Sequence, residues 1–281
     1  MPELRHDVLV LDGVRRERPT RLPDGSPLVS SPLTCTLIYG ATDAVLVDPP
    51  FTYDQVDRLG DWIAAHGRRL AFVYATHGHG DHWFGTDLLM RRFPDAVPYA
   101  TRGTIALMHR QRTEDRRLRW DRDFPGLIPD SPVVFQVMPD EGIDLEGHRL
   151  LAVETGHTDT DDTTVLHAPS TGLVVAGDVV YNGVHQYLLE SLDGGLDKWL
   201  FALDTVAALR PRTLVAGHKD RELPDDPSVL EQTRAYLLDA RRLLDAGPGP
   251  REFYDEMVRL YPDRLNPSPL WSGALALLPP R

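Results

Sequence analysis

Residues 77 to 82 read H-G-H-G-D-H, three histidines and one aspartate within six positions, interleaved with two glycines. Imidazole nitrogens and carboxylate oxygens together suit zinc, with iron and manganese as further choices. His77 and His79 are two positions apart, so an extended chain aims both to one side. Asp81 and His82 follow where the chain turns and can face another way. One short segment thus offers two ligands to each of two metals. Paired metals about 3.5–4 Å apart can hold a hydroxide between them as nucleophile. The glycines permit tight backbone conformations, and neither a surface loop nor a packed core calls for this set of side chains.

Two metals need more than four ligands. His157, Asp178 and His218 are the further candidates, each directly after a glycine and each at or just past an apolar run. Taken singly, a histidine at a strand end is about as often structural as ligating; together the three complete a dinuclear set. After Asp178 runs G-D-V-V-Y-N-G-V-H-Q-Y-L, in which Tyr181 and His185 are candidates for an oxyanion donor and a general acid. The bland alternative is a packed aromatic and a surface histidine.

The elements that must position these residues follow from periodicity. H-D-V-L-V-L-D-G alternates, and L-T-C-T-L-I-Y and A-V-L-V-D flank the turn G-A-T-D as a hairpin. Val56, Leu59 and Ile63 recur at helical spacing, with Gly67 placed to end that helix. L-A-F-V-Y-A-T is a strand that delivers the chain to His77, and a helix resumes after it and stops at Pro94. The second half repeats the logic: V-V-F-Q-V-M, H-R-L-L-A-V-E-T, T-T-V-L-H-A and G-L-V-V-A-G-D-V-V are strands. The helix from Leu196 to Arg210 then leads to the strand T-L-V-A-G-H. Such a pattern predicts an α/β (α+β) fold of two face-to-face sheets with helices outside.

The 281 residues are expected to form one domain, with an insertion at about 102–125 and a helical extension at about 228–281. Seven arginines lie between Arg102 and Arg122; they form either a solvated helix face or a lid that offers guanidinium groups to an anionic substrate. The formal net charge of −12 argues against nucleic acid as a partner. A lone cysteine, Cys35, forms no internal disulfide. The start carries no signal pattern, and no apolar run has membrane-span length, so the expected location is cytoplasmic. A homo-oligomer is compatible with everything in the sequence.

T-H-G-H-G-D-H, G-H-T, A-G-D and A-G-H, in this order, resemble the metallo-β-lactamase superfamily, over roughly residues 30–220. The resemblance implies a four-layer αβ/βα sandwich with the metal site at one edge between the sheets. It implies one metal on His77, His79 and His157, a second on Asp81, His82 and His218, and Asp178 bridging the two, with two Zn2+ as the cofactor and Fe or Mn as substitutes. Many true β-lactamases place Cys or His where this chain has the bridging Asp, so it resembles the glyoxalase II, lactonase and general hydrolase branches. The implied activity is hydrolysis of an ester, lactone or thioester of a small-molecule substrate, with Asp81 helping to hold the hydroxide and move its proton. An iron-dependent oxidoreductase of persulfide dioxygenase or diiron type, and a nuclease, are the alternatives. One departure is E-T-G-H-T-D-T-D-D-T, where relatives often have P-G-H-T-P-G. Its extra acids Asp159, Asp161 and Asp162 belong either to a turn or to groups that orient ligands or meet a cationic substrate.

Overall fold

The computed structural model describes residues 3–130 and 135–278. The strand expected over V-V-F-Q-V-M begins outside these residues, at 133–134, and the end of the tail at 279–281 lies outside them as well.

A six-stranded sheet runs β1 (Arg5–Leu11), β2 (Leu33–Tyr39), β3 (Asp43–Val47), β4 (Arg69–Tyr74), β5 (Val97–Ala100) and β6 (Gln136–Val137), in that spatial order. Pairing is antiparallel from β1 to β3 and parallel from β3 to β6. The second half contributes β7 (Ile143–Leu145), β8 (His148–Gly156), β9 (Thr163–Ala168), β10 (Leu173–Val175), β11 (Tyr181–Asn182), β12 (Thr213–Val215) and β13 (His218–Lys219). Five of these form a sheet in the order β12-β10-β9-β8-β7, and β11 and β13 make a separate parallel pair. The helices are α1 (Tyr53–Ala65), α2 (Thr86–Arg92), α3 (Arg102–Arg110), α4 (Asp121–Asp123), α5 (Gly195–Ala208), α6 (Val229–Asp245), α7 (Pro250–Leu260) and α8 (Ser268–Leu277).

The two sheets meet face to face. Ile38, Val45, Val47 and Tyr74 of the first pack with Leu150, Leu166, Leu173 and Val215 of the second in one buried cluster. The outer face of the first sheet, through Leu37, Leu46 and Val73, packs on α1 and α2. The outer face of the second, through Val165, Val174 and Leu214, packs on α5 to α8, with Trp199, Leu237, Phe253 and Leu270 at the contact. The result is a four-layer αβ/βα sandwich. Local signals set the helices. On α1, Val56, Leu59 and Ile63 are buried, and full burial of such side chains stabilises by about 1.5–3 kcal/mol each. Thr52 caps its start by accepting the Gln55 N–H, and Gly67, at φ +62°, ends it as the sequence predicts.

The connections fix where chemistry can occur. β3 and β4 run parallel, and so do β10 and β12. Residues just past their C-terminal ends therefore collect at one edge of the sandwich, as in other sheets with parallel strands. Between β5 and β6 the chain forms α3, a wide π-helical stretch over Gln111–Trp120, and α4. This segment is fastened by Met108, Trp120 and Phe124, which pack on Phe51, Trp83 and Phe84.

Candidate metal centre

The chain leaves β4 at Tyr74, passes Thr76, and places His77 to His82 on a loop that closes in a single 3-10 turn over Gly80–His82. The two glycines serve a purpose other than the one the sequence suggests. Neither has positive φ. A Cβ on Gly78 would collide with the Cβ of Leu107, and one on Gly80 would collide with the Phe84 ring. They are glycines so that the loop can press against its neighbours, not because the backbone turns left-handed.

Three groups of potential ligand atoms converge, each with its atoms within 4.8 Å of one another: His77, His79 and Asp159; Asp81, His82 and His218; and His77, His82 and Asp178. His79 Nδ1 lies 2.7 Å from Asp159 Oδ2, and His77 Nε2 lies 3.7 Å from the same oxygen. Asp178 spans the groups, with Oδ1 3.3 Å from His82 Nε2 and Oδ2 3.2 Å from His218 Nε2. Asp81 Oδ2 is 3.7 Å from His218 Nε2. His77 Nε2, His82 Nε2 and Asp178 Oδ1 are buried and have no hydrogen-bond partner among the described residues. Buried polar atoms are seldom left unpaired, and these are imidazole nitrogens and a carboxylate oxygen that face each other. The donor set fits divalent metal ions of the zinc, iron or manganese type.

A surrounding set of bonds fixes how the imidazoles point. Asp48, at the end of β3, is buried in the left-handed backbone region at φ +57°. Its Oδ1 accepts the Thr76 N–H and its Oδ2 the Thr76 hydroxyl, both at 2.8 Å, and Oδ2 lies 3.1 Å from His82 Nδ1. Having donated its proton to Asp48, the Thr76 hydroxyl accepts from His77 Nδ1–H at 3.0 Å. His218 Nδ1–H donates to the Pro32 carbonyl at 2.8 Å. Each bond leaves the Nε2 lone pair free to face the centre. Glu190 Oε1 pairs with His79 Nε2 at 3.0 Å, and its other oxygen accepts from Thr160 at 2.9 Å.

The electrostatics favour bound positive charge. Burial raises the Asp178 carboxyl, but His218 and His82 outweigh it and hold the group well below the usual carboxylate range. Burial disfavours the charged form of His82, yet Asp178, Asp48 and Asp81 raise its pKa to about 10. Burial likewise raises Asp81, which His82 and His218 bring below its ordinary value. Such a concentration of buried carboxylates and imidazoles seeks protons or metal cations.

Of the residues singled out in the sequence, the structure brings together His77, His79, Asp81, His82, Asp178 and His218. Tyr181 joins them, donating its hydroxyl to Asp178 Oδ2 at 2.5 Å. His157 lies apart from this set. It is absent from the three converging groups. The ladder between β8 and β9 shifts register at Glu154/Gly156, and Gly156 has φ +83°. His157 then pairs through Nδ1 with Asp161 at 2.7 Å, and its Nε2, near Gly195 at the start of α5, is buried without a hydrogen-bond partner among the described residues, as are those of His77 and His82. Asp159, two residues on, takes the place beside His77 and His79. His185 also lies apart from it. It is buried away from the cavity lining, with Nδ1 3.0 Å from the Tyr236 hydroxyl, and burial with the nearby Arg264 lowers its pKa to about 4. Asp48, Thr76 and Glu190 escaped the sequence reading. A carboxylate ending the strand A-V-L-V-D was a usable signal for Asp48; Glu190 lies in a turn and gave none.

The centre opens into a small cavity of about 40 Å³, room for a few waters. Its walls include His79, Asp81, Asp159, Asp178, Tyr181 and His218, together with Arg16 and Arg119.

Comparison with known proteins agrees with this geometry. Residues 31–218 match the model of the metallo-beta-lactamase superfamily. A hydroxyacylglutathione hydrolase from Synechococcus sp. (strain CC9902) is 29% identical over 173 residues, which span 62% of this chain and 60% of that relative's length. Among solved structures, a metallo-beta-lactamase family protein from Thermus thermophilus superposes with a TM-score of 0.66 at 21% identity, covering 96% of this chain and 91% of that one. A metallo-beta-lactamase from Pontibacter korlensis gives 0.59 at 17% identity, covering 84% and 99%. At these identities the structural likenesses speak for the fold.

Proposed function

This chain belongs to the metallo-beta-lactamase superfamily, and on that premise we propose that it is a dinuclear metal-dependent hydrolase cleaving an ester, lactone or thioester of a small molecule. The observation that carries this reading is the convergence of imidazole and carboxylate groups from positions 77 to 218 on one centre, with His77 Nε2, His82 Nε2 and Asp178 Oδ1 buried and unpaired among the described residues. The match to a hydroxyacylglutathione hydrolase favours a thioester within that class. Zinc is the first choice of metal, and iron or manganese would accept the same donors.

In this reading His77, His79 and Asp159 would hold one cation, Asp81, His82 and His218 would hold the other, and Asp178 would be available to both. The bound cations supply Lewis acidity and a water of lowered pKa. Asp48 fixes His82 directly and His77 through Thr76, so the ligands are oriented before metal arrives. Tyr181 holds Asp178 by its hydroxyl, and burial together with Asp178 keeps that phenol protonated well above its usual pKa. Asp81 is the least buried of the converging carboxylates, at 18% exposure, and is kept ionised by His82 and His218. In this reading its carboxylate would take a proton from the hydrolytic water and return it to the leaving group.

The test is to load the purified chain with zinc or iron and to assay lactones, thioesters, aryl esters and β-lactams. Replacing His77 and His79 together by alanine should abolish metal uptake and turnover in the same preparation. Undiminished hydrolysis in that variant, or turnover confined to an iron form with its visible absorption and an oxidised product, would overturn the hydrolase reading.

A further inference from the structure

Arg16 and Arg119 come from opposite parts of the chain, the segment after β1 and the last turn of the π-helical stretch, and both line the cavity of the candidate metal centre. Each guanidinium carries five N–H donors. Among the described residues, Arg119 makes one hydrogen bond, from Nη2 to the Tyr187 hydroxyl at 2.6 Å. Arg16 has an ion contact to Asp123 at 3.8 Å, and its Nε is buried without a partner. Arg18 contacts the other oxygen of the same carboxylate more closely. The charges also repel one another. Burial, and then the charge of Arg119, lower the pKa of Arg16 to about 10, and Arg18 is lowered by burial, Arg119 and Arg16, whereas Arg119 itself is raised against its burial by Tyr187, Glu190 and Asp81. A largely buried wall that leaves most of its guanidinium donors unused is costly unless acceptors arrive.

Carboxylates of the chain already nearby are otherwise engaged. Glu190 accepts from His79 and Thr160, and Asp81 faces His218. The position of Arg119 is not casual either. Its neighbour Trp120 is buried and donates its indole N–H to Gln111, and Arg116 is tied to Asp121 and to the carbonyls of Ile128 and Pro129. Those anchors hold the wide helical turn so that Arg119 faces inward while Arg117 and Arg122 remain exposed. Widened turns of this kind recur at functional sites.

We propose that Arg16 and Arg119 form a binding site for an oxyanion carried by the substrate, a carboxylate or a phosphate, in the same cavity as the scissile carbonyl. The word substrate rests on the hydrolase reading; the anion site itself does not. Two guanidinium forks suit the paired oxygens of either group. The narrowness of the cavity favours a compact anionic group close to the reacting centre.

The test uses the full chain loaded with zinc, in wild-type form and as the double variant Arg16→Gln/Arg119→Gln, with zinc content as the check of an intact fold. Binding of succinate, inorganic phosphate and neutral succinamide is measured by calorimetry. Succinate or phosphate should bind the wild type, whichever it is naming the group, and the double variant should bind it at least about tenfold more weakly with unchanged zinc content. Succinamide should bind neither. A thioester pair differing in a terminal carboxylate or carboxamide should show a wild-type preference for the acid in kcat/KM that falls to about one in the variant. Equal anion binding by both proteins, or none by either, overturns the proposal whether or not esters are cleaved. Anion binding lost in the variant while no ester is cleaved by the wild type leaves the site standing and removes the hydrolase reading instead.

Discussion

His79 Nδ1 lies 2.7 Å from Asp159 Oδ2 across 80 positions of sequence, while His157, the residue that matches a ligand histidine by motif, pairs with Asp161. A carboxylate therefore stands where a third imidazole was expected. Asp159→Asn should lower bound metal toward one per chain and cut turnover by at least about 100-fold, the upper range for disturbing a metal's surroundings. His157→Gln should keep its metal and stay within about tenfold of wild type. Metal analysis and steady-state rates on both variants decide the matter; the reverse ranking would restore His157 as the ligand.

Tyr181 contributes one hydroxyl, donated to Asp178 at 2.5 Å. Tyr181→Phe keeps the ring, which is fully buried. We expect the fold to survive and metal affinity to fall by roughly 10–100-fold, as for loss of an outer partner of a ligand. Competition with a chromogenic chelator measures this. Unaltered affinity would reduce Tyr181 to a packing residue.

His185 is held by Tyr236 in the core and does not line the cavity. His185→Phe should cost about 1–3 kcal/mol, because the buried Tyr236 hydroxyl, which also bonds the Gln186 backbone, loses its bond to His185. Specific activity per folded molecule should be unchanged. A large loss of kcat with unchanged stability would return His185 to the chemistry.

Glu146 joins the two sheets through a turn. Its carboxylate accepts the N–H groups of Asp43, Thr42 and Ala41 at 2.8, 2.7 and 2.9 Å, and these bonds lower its pKa to about 2. A carboxyl depressed in the folded state stabilises fully above its unfolded pKa, about 4.3, and loses that contribution as pH falls toward the folded value. Denaturation midpoints of wild type should therefore drop more steeply than those of Glu146→Gln between about pH 5 and pH 2. Parallel curves would show that the three bonds carry no linked stability.

Much of the architecture was written locally. Alternation in β1, the hairpin turn between β2 and β3, and the spacing of Val56, Leu59 and Ile63 each depend on near neighbours, so a single sequence displays them. The same holds for H-G-H-G-D-H, whose ligand types and spacing declare a metal site without reference to the rest of the chain. Tertiary structure decided which partners complete it. Past the register shift at Glu154/Gly156 the chain sets Asp159 beside His77 and His79 and pairs His157 with Asp161, a local bend that no alternation in the sequence encodes. Burial against Tyr236 withdrew His185, and only folding carried Asp48 and Arg16 to residues far from them in sequence. Long-range contact is set by how sheets and helices pack, and no local period in the chain encodes it.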